Sequence, residues 1–358
     1  MQERVSVALS GGVDSAVAAV LLLEQGYEVV GVMLRLWAGG GPGGDPANRC
    51  CMTEAVSRAQ SVADQLGIPF TLINAEAVFK ARIVDYFIAE YGAGRTPSPC
   101  IPCNRVVRFG LLLDRVLAMG AAHMATGHYA RVRQAGGRYQ LLRGRDPRKD
   151  QSYFLHILSQ VQLAHVLFPL GELTKEEVRV IARQRGLLVA DQPESQDVCF
   201  LAGGDYRRFL AIQAPHLFRP GPIRDISGRV LGQHQGLPDY TIGQRKGLDI
   251  SAPKPLYVIA IEPAQNALIV GTVEELGRDE CLVAGMHYIA GGAPAATFDA
   301  TAQIRYRANP VAVTVTALPG ERSHVRFAAP QRGLTPGQFL VLYDDEVVLG
   351  GGAICKAK

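Results

Sequence analysis

What this chain has little of narrows it first. It has one tryptophan in 358 residues and no apolar run near the roughly 20 residues that a membrane-spanning helix needs. The longest early run, 16–23, lies between Asp14 and Glu24. No excess of one charge exists: 37 Lys and Arg face 33 Asp and Glu, a formal net charge of +4. That excludes a histone-like polybasic chain and leaves room for local basic patches. With 48% hydrophobic and 20% charged residues, the composition excludes disorder. There is no internal repeat and no low-complexity tract. No charged leader with an apolar segment and small-residue cleavage site is read at the start. The seven cysteines are too few for a disulfide scaffold, so reduced thiols and a cytoplasmic location are expected.

The length implies two or three domains. The first two-thirds alternates apolar strands with helices: strands over 5–9, 29–36, 68–73 and 123–129, helices over 15–25, 53–66, 78–90 and 106–119. That alternation predicts βαβ units and a parallel sheet covered on both faces. Thr174-Lys175-Glu176-Glu177 is a capping box that opens a helix ending at Gly186. After about residue 205, Gly and Pro punctuate shorter strands. A hairpin is expected around 263–266. From about 280 onward successive strands, including 301–307 and 347–354, suggest a small antiparallel barrel. The expected fold is α/β: an N-terminal parallel-sheet domain (1–205), a small central β-rich domain (206–275) and a C-terminal antiparallel β-barrel (276–358).

Ser10-Gly11-Gly12-Val13-Asp14-Ser15 falls between the first strand and the first helix. Unpaired backbone N–H groups at a helix start attract anions, and glycines let the backbone approach a phosphate closely. Ser10 and Ser15 add hydroxyls. A Gly-Lys-Ser/Thr after a four-residue spacer is missing, so this is not a Walker A loop. A tight turn would account for two glycines. The complete string resembles the pyrophosphate loop of the ATP pyrophosphatase (PP-loop) superfamily, whose members cut ATP between its α and β phosphates and adenylate a substrate oxygen.

Cys100-Ile101-Pro102-Cys103-Asn104 follows Thr96-Pro97-Ser98-Pro99, with Arg105 and Arg108 next. A helix N-terminus and nearby cations lower a thiol pKa, so Cys103 is expected to be reactive. Cys199 alone reads as a buried structural thiol; paired across space with Cys103, it could carry sulfur. Zinc would need two more ligands at suitable spacing. Cys100, Cys103 and Cys199 together could hold an iron–sulfur cluster, and this alternative stays open. Cys50, Cys51, Cys281 and Cys355 read as incidental or structural.

Further strings point to one family: Ala125-Thr126-Gly127-His128-Tyr129, Lys149-Asp150-Gln151-Ser152-Tyr153-Phe154-Leu155, Cys199-Phe200, Gly232-Gln233-His234-Gln235-Gly236, Thr241-Ile242-Gly243-Gln244-Arg245-Lys246-Gly247-Leu248, Arg305-Tyr306-Arg307 and Thr335-Pro336-Gly337-Gln338. In this order, with the phosphate loop and Cys103, the chain resembles the bacterial tRNA-specific 2-thiouridylases (tRNA-uridine 2-sulfurtransferases) over essentially its full length. The resemblance implies that ATP, with Mg²⁺, adenylates the C2 oxygen of uridine 34 in the tRNAs for Lys, Glu and Gln. A persulfide on Cys199 supplies sulfur and AMP leaves. Cys103 is the nucleophile that frees the sulfur, leaving a Cys103–Cys199 disulfide. The donor would be a cysteine desulfurase or a sulfur-relay protein. An amide-forming ligase of the same superfamily would share the ATP chemistry but leave the cysteine pair without a purpose.

Carried over residue by residue, Ala8, Leu9, Ser10, Gly11, Gly12, Val13, Asp14, Ser15, Met33 and Gly127 would contact ATP. Ser98, Pro99 and Cys100 would line the pocket for the extruded base. His128, Lys149, Asp150, Gln151, Arg305, Tyr306 and Gln338 would touch tRNA. Many members carry Asp where this chain has Cys100, which leaves any general-base role there in doubt. Arg131, Arg133, Arg138, Arg143, Arg145, Arg148 and Lys149 lie in a stretch whose one acid is Asp146. This stretch reads either as a solvated hairpin face or as a phosphate-contacting stripe.

Overall fold

The computed structural model describes residues 2–37, 46–193, 198–201 and 205–357, without the side chains of 46–51. The readings of Cys50 and Cys51 as incidental or structural thiols lie outside the described residues. The N-terminal part runs β1 (Arg4–Ala8), α1 (Val13–Glu24), β2 (Glu28–Arg35), α2 (Pro46–Leu66) and β3 (Phe70–Asn74), then a helical stretch α3 over 76–92. A second stretch, α4, covers 100–118, followed by β4 (His123–Ala125), a hairpin of β5 (Ala130–Ala135) and β6 (Arg138–Arg143), β7 (Val166–Leu167) and α5 (Lys175–Gln184). The capping box is present: Thr174 and Glu177 satisfy each other's backbone N–H at the start of α5.

The strand order β3-β2-β1-β4-β7 is parallel throughout. Val5 and Val7 of the central strand are wholly buried, as expected of a sheet covered on both faces. Chain order reverses between β1 and β4. Ligands bind open α/β sheets in the crevice beyond the strand ends at such a point, and two loops of interest leave β1 and β4 there. The strand predicted over 123–129 ends at Ala125, because the chain must turn over the phosphate loop before reaching the hairpin.

Helix α6 (Tyr206–Gln213) leads to a four-stranded sheet of β8 (Gly221–Asp225), β9 (Val230–His234), β10 (Tyr257–Glu262) and β11 (Ala267–Gly271), ordered β10-β11-β8-β9. The remaining strands are β12 (Arg278–Tyr288), β13 (Thr297–Gln303), β14 (Val311–Leu318), β15 (Arg322–Gln331), β16 (Phe339–Asp344) and β17 (Val347–Ala357). They form an antiparallel barrel that closes through β12–β17 pairing. The strand expected over 301–307 ends at Gln303. Arg307 has φ +64°, so the chain turns out of the ladder there.

The hairpin β5–β6 joins the barrel sheet, with Leu142 opposite Val347. One apolar cluster, including Phe109, Tyr153, Leu155, Phe339 and Tyr343, runs from the parallel-sheet part into the barrel. The loop before α4 is pinned from two sides. Thr96 donates its N–H to Pro336 O (3.0 Å), accepts from Gln338 Nε2 at its carbonyl (2.8 Å), and donates its hydroxyl to Thr241 Oγ1 (3.3 Å). Among the described residues, no helix is long and apolar enough to cross a membrane.

Candidate active site

The phosphate loop is built by its own serines. Ser15 Oγ donates to Gly12 O (3.0 Å), accepts from Ser10 N–H (3.1 Å) and meets Ser10 Oγ at 3.2 Å. Gly12 is the N-cap of α1 and makes no side-chain cap bond, so the first turn's N–H groups face the crevice uncapped by a side chain. Gly11 has φ +74°, and a Cβ there would lie 2.6 Å from Ala55 O. Gly127, from the loop after β4, crosses so closely that a Cβ would lie 2.8 Å from Asp14 C and Ser15 N. The two loops at the sheet's switch point are therefore in backbone contact. Met33 is buried in β2, within the core that underlies the loop.

Asp14 shows what the sequence reading missed. Its Oδ1 accepts from Tyr129 OH (2.8 Å) and from Lys175 Nζ (2.6 Å). Lys175 is 5% exposed, at the first position of α5. Its sequence signal was present inside the capping box: a cation at a helix N-terminus opposes the helix dipole, so it calls for a carboxylate elsewhere.

The sulfur centre lies on α4 and on the segment carrying Cys199. Residues Cys103–Leu112 are π-wound, so the predicted helix 106–119 begins earlier, at Cys100. Phe200 is 1% exposed and stands among Phe79, Phe87 and Phe209 at centroid distances of 5.9, 5.2 and 5.3 Å. Cys103, Val198 and Leu201 pack against that same cluster. The fold thus brings Cys103 and the Cys199 segment together across nearly a hundred residues. Both thiols are free, as is Cys100.

The expected thiolate character of Cys103 does not hold in this state. Burial pushes its pKa up to about 11, and Arg108 only partly opposes this. Burial also raises Cys100 and Cys199. Both carry exposed surface, whereas Cys103 is half-buried; protein crowds all three sulfurs without sealing them off. Among the described residues, the cation that acts on them is Arg108 and not the exposed Arg105. Among the described residues no three His, Cys, Asp or Glu side chains are grouped to hold a metal ion. Cys100, Cys103 and Cys199 as arranged are therefore not a ready iron–sulfur site. The raised pKa of Cys100 also makes it a poor general base.

Several residues expected to touch tRNA are occupied inside the protein. His128 is 8% exposed; its Nδ1 lies 2.6 Å from Thr126 Oγ1 and its Nε2 3.3 Å from Arg108 Nη1. Arg108 can only donate, so Nε2 accepts and the imidazole is neutral. Burial and Arg108 hold its pKa well below the ordinary value. Asp150 accepts from Arg143 Nη1, Gly144 N, Ser152 N and Ser152 Oγ. Gln151 pairs both ways with the Tyr129 backbone. Gln338 holds Thr96. Tyr306 packs on Phe154 at 4.4 Å with Arg307 over its ring, while Arg305 is exposed. Ser98 is half-buried, Pro99 buried, and Cys100 exposed at the start of α4.

The basic stretch is largely neutralised by acids, most of them distant in sequence. Arg131 meets Glu172 and Glu346, Arg133 meets Glu346, Arg143 meets Asp150, Arg145 meets Glu177, and Arg148 meets Glu176 and Asp146. A stripe of bare cations is not what the fold presents. These pairs tie the hairpin to the barrel, and the segment after it to α5.

Comparison with known proteins agrees with the three-part architecture. Family descriptions match residues 3–203 (tRNA methyl transferase HUP domain), 207–272 (tRNA methyl transferase PRC-barrel domain) and 278–354 (aminomethyltransferase beta-barrel domain). The tRNA-specific 2-thiouridylase MnmA of Chloroflexus aggregans is 49% identical over 98% of both chains. Its counterpart in Moorella thermoacetica is 50% identical over 97% of this chain and 98% of its own. The chain belongs to the tRNA-specific 2-thiouridylase family. Among solved structures, the U34-tRNA thiolase NcsA of Methanococcus maripaludis, described with a 4Fe–4S cluster, covers 60% of this chain and 67% of its own. Identity is 19% and the TM-score 0.35, a likeness too loose to bring that cluster to a member of the 2-thiouridylase family.

Proposed function

We propose that this chain 2-thiolates uridine 34 of the tRNAs for Lys, Glu and Gln in the cytoplasm, using ATP and a persulfide carried on Cys199. The observation that carries this reading is the packing of Cys103 and the Cys199 segment into one cluster, on a domain whose phosphate loop lies at the sheet's switch point. ATP enters as its magnesium complex. Mg²⁺ is commonly held by phosphates and one or two carboxylates, and Asp14 is the carboxylate of the loop. Residues 8–15 with Met33 and Gly127 would hold the nucleotide, Ser98, Pro99 and Cys100 the extruded base. Residues 1–205 would carry the chemistry, and 206–275 and 276–358 would orient tRNA. Arg305, which is exposed, would contact the RNA, together with Tyr306 and Lys149. His128, Asp150, Gln151 and Gln338 would support them from inside.

Adenylation turns the C2 oxygen of uracil, a poor leaving group, into AMP. The Cys103 thiolate then attacks the inner sulfur of the Cys199 persulfide. That S–S bond breaks, its electron pair leaves on the outer sulfur as hydrosulfide, and Cys103 and Cys199 become a disulfide. Hydrosulfide adds to C2, AMP departs with the oxygen, and loss of a proton leaves C2=S. A cellular dithiol returns the cysteines to the reduced state. In the test, C103S and C199S are each given ATP, tRNA and a persulfide donor. Both are expected to bind ATP and form no 2-thiouridine; full thiolation by either overturns the persulfide route.

A further inference from the structure

We infer that the π-wound stretch of α4 serves to bring Arg108 onto the face of Cys103, where its guanidinium, held by His128 and Asn104, stabilises anionic sulfur during transfer. This rests on the persulfide reading above. The argument begins with helical phase. Residues five apart on an α-helix lie about 140° apart around the axis, which would turn Arg108 away from Cys103. Hydrogen bonds spanning five residues, at about 4.4 residues per turn, reduce that separation to about 50°. The stretch Cys103–Leu112 is wound this way, and Leu113 N–H bonds Arg108 O. Gly110 permits it, since a Cβ there would lie 2.9 Å from Arg105 O.

The side chain is then fixed at its far end. Arg108 Nη1 donates to Asn104 Oδ1 (3.2 Å) and to His128 Nε2 (3.3 Å). His128 follows Gly127, the residue in contact with the phosphate loop. One neutral imidazole thereby links the cation of the sulfur centre to the nucleotide crevice. A neutral partner leaves the guanidinium charge uncancelled, in contrast to Arg131 and Arg143 of the β5–β6 hairpin, which end on carboxylates. Arg108 also acts electrostatically on Cys100, Cys103 and Cys199. The centre needs such a charge, because negative sulfur appears twice: on Cys103 as it attacks and on the hydrosulfide as it leaves. A fixed cation in a partly dehydrated site stabilises both without reorganising.

The test compares wild type, R108M and R108K. Each is loaded at Cys199 with ³⁵S by a cysteine desulfurase and mixed with ATP and unmodified tRNA. Single-turnover ³⁵S incorporation reports transfer; tRNA-dependent pyrophosphate release reports adenylation and an intact fold. R108M is expected to release pyrophosphate within about threefold of wild type while transfer falls roughly 100-fold, the scale of removing one charge-stabilising donor. R108K is expected to recover most of that loss. Transfer by R108M at the wild-type rate overturns the inference. Parallel loss of both readouts also overturns it, since it marks a structural role, and so does failure of R108K to recover. Wild type that cannot thiolate tRNA at all overturns the underlying reading, whereas an active wild type with an equally active R108M overturns only this inference.

Discussion

Phe200 stands edge-on to Phe87, ring centroids 5.2 Å apart at 83°, and that contact fixes the residue next to Cys199 in the wall that also receives Cys103. Removing such a ring from a core costs about 3–5 kcal/mol. F200A is therefore expected to lower the melting temperature and to uncouple the two halves of the reaction. Pyrophosphate release should survive, since the phosphate loop belongs to a different cluster, while sulfur transfer should be lost. F200L, which keeps most of the apolar volume, should retain measurable transfer. Thiolation by F200A at the wild-type rate would show that the aromatic nest does not position Cys199.

Gly127 makes a separate prediction about the nucleotide. The Cβ of G127A would lie 2.8 Å from backbone atoms of Asp14 and Ser15, and backbone cannot swing aside as a flexible side chain does. The loop must move, so the KM for ATP is expected to rise at least about tenfold, equivalent to about 1.4 kcal/mol. The alkylation rates of Cys103 and Cys199 should stay near wild type. An unchanged KM would mean that ATP does not use this crossing.

Lys175 tests the same crevice from beneath. K175M removes one of the two donors on Asp14 Oδ1. Leaving a partly buried carboxylate without its cation is costly. The variant is expected to weaken ATP binding by roughly tenfold, measured by calorimetry with a non-hydrolysable analogue, and K175R should restore part of it. Equal affinity in K175M would restrict Lys175 to a role in folding.

Much of this was legible in the sequence, for identifiable reasons. The alternation of apolar strands and helices, the Ser10–Ser15 string and the turn residues after 205 are local signals, and local chemistry decides them. The unread features depend on contacts distant along the chain. Arg131 meets Glu346 across the hairpin–barrel junction, and no inspection of 131–149 could show it. Lys175 looked like part of a cap because its carboxylate lies 161 positions away. The π-winding that separates the roles of Arg105 and Arg108 has no composition signature beyond Gly110. Cys103 looked activated because nearby cations are visible in sequence, whereas the burial that outweighs them is not.

That burial makes a prediction about pH. A thiol raised to about 11 is almost wholly protonated at pH 7, against an ordinary cysteine near 8.5. Only the thiolate is alkylated. In the resting protein, the rate of iodoacetamide modification at Cys103, followed by peptide mass spectrometry, should rise about tenfold per pH unit through pH 8–10 without levelling near 8.5. A plateau below pH 8 would mean that the thiol is already activated without substrates.

Two buried imidazoles set the acid limit. His156 is fully buried, with Nδ1 2.7 Å from Tyr153 O, and burial pushes its pKa down to about 3; His128 is lowered too. In the unfolded chain both titrate near 6.5. Below that pH the unfolded state binds protons that the folded state refuses. The contribution of His156 to stability is therefore complete above about pH 6.5 and is lost as pH falls toward 3, at about 1.4 kcal/mol per pH unit; His128 acts in the same direction. Urea unfolding from pH 7 to 4 should show wild type losing stability faster than H156Q, which cannot titrate, by that slope for one residue. Parallel curves would show that His156 takes up its proton in the folded protein.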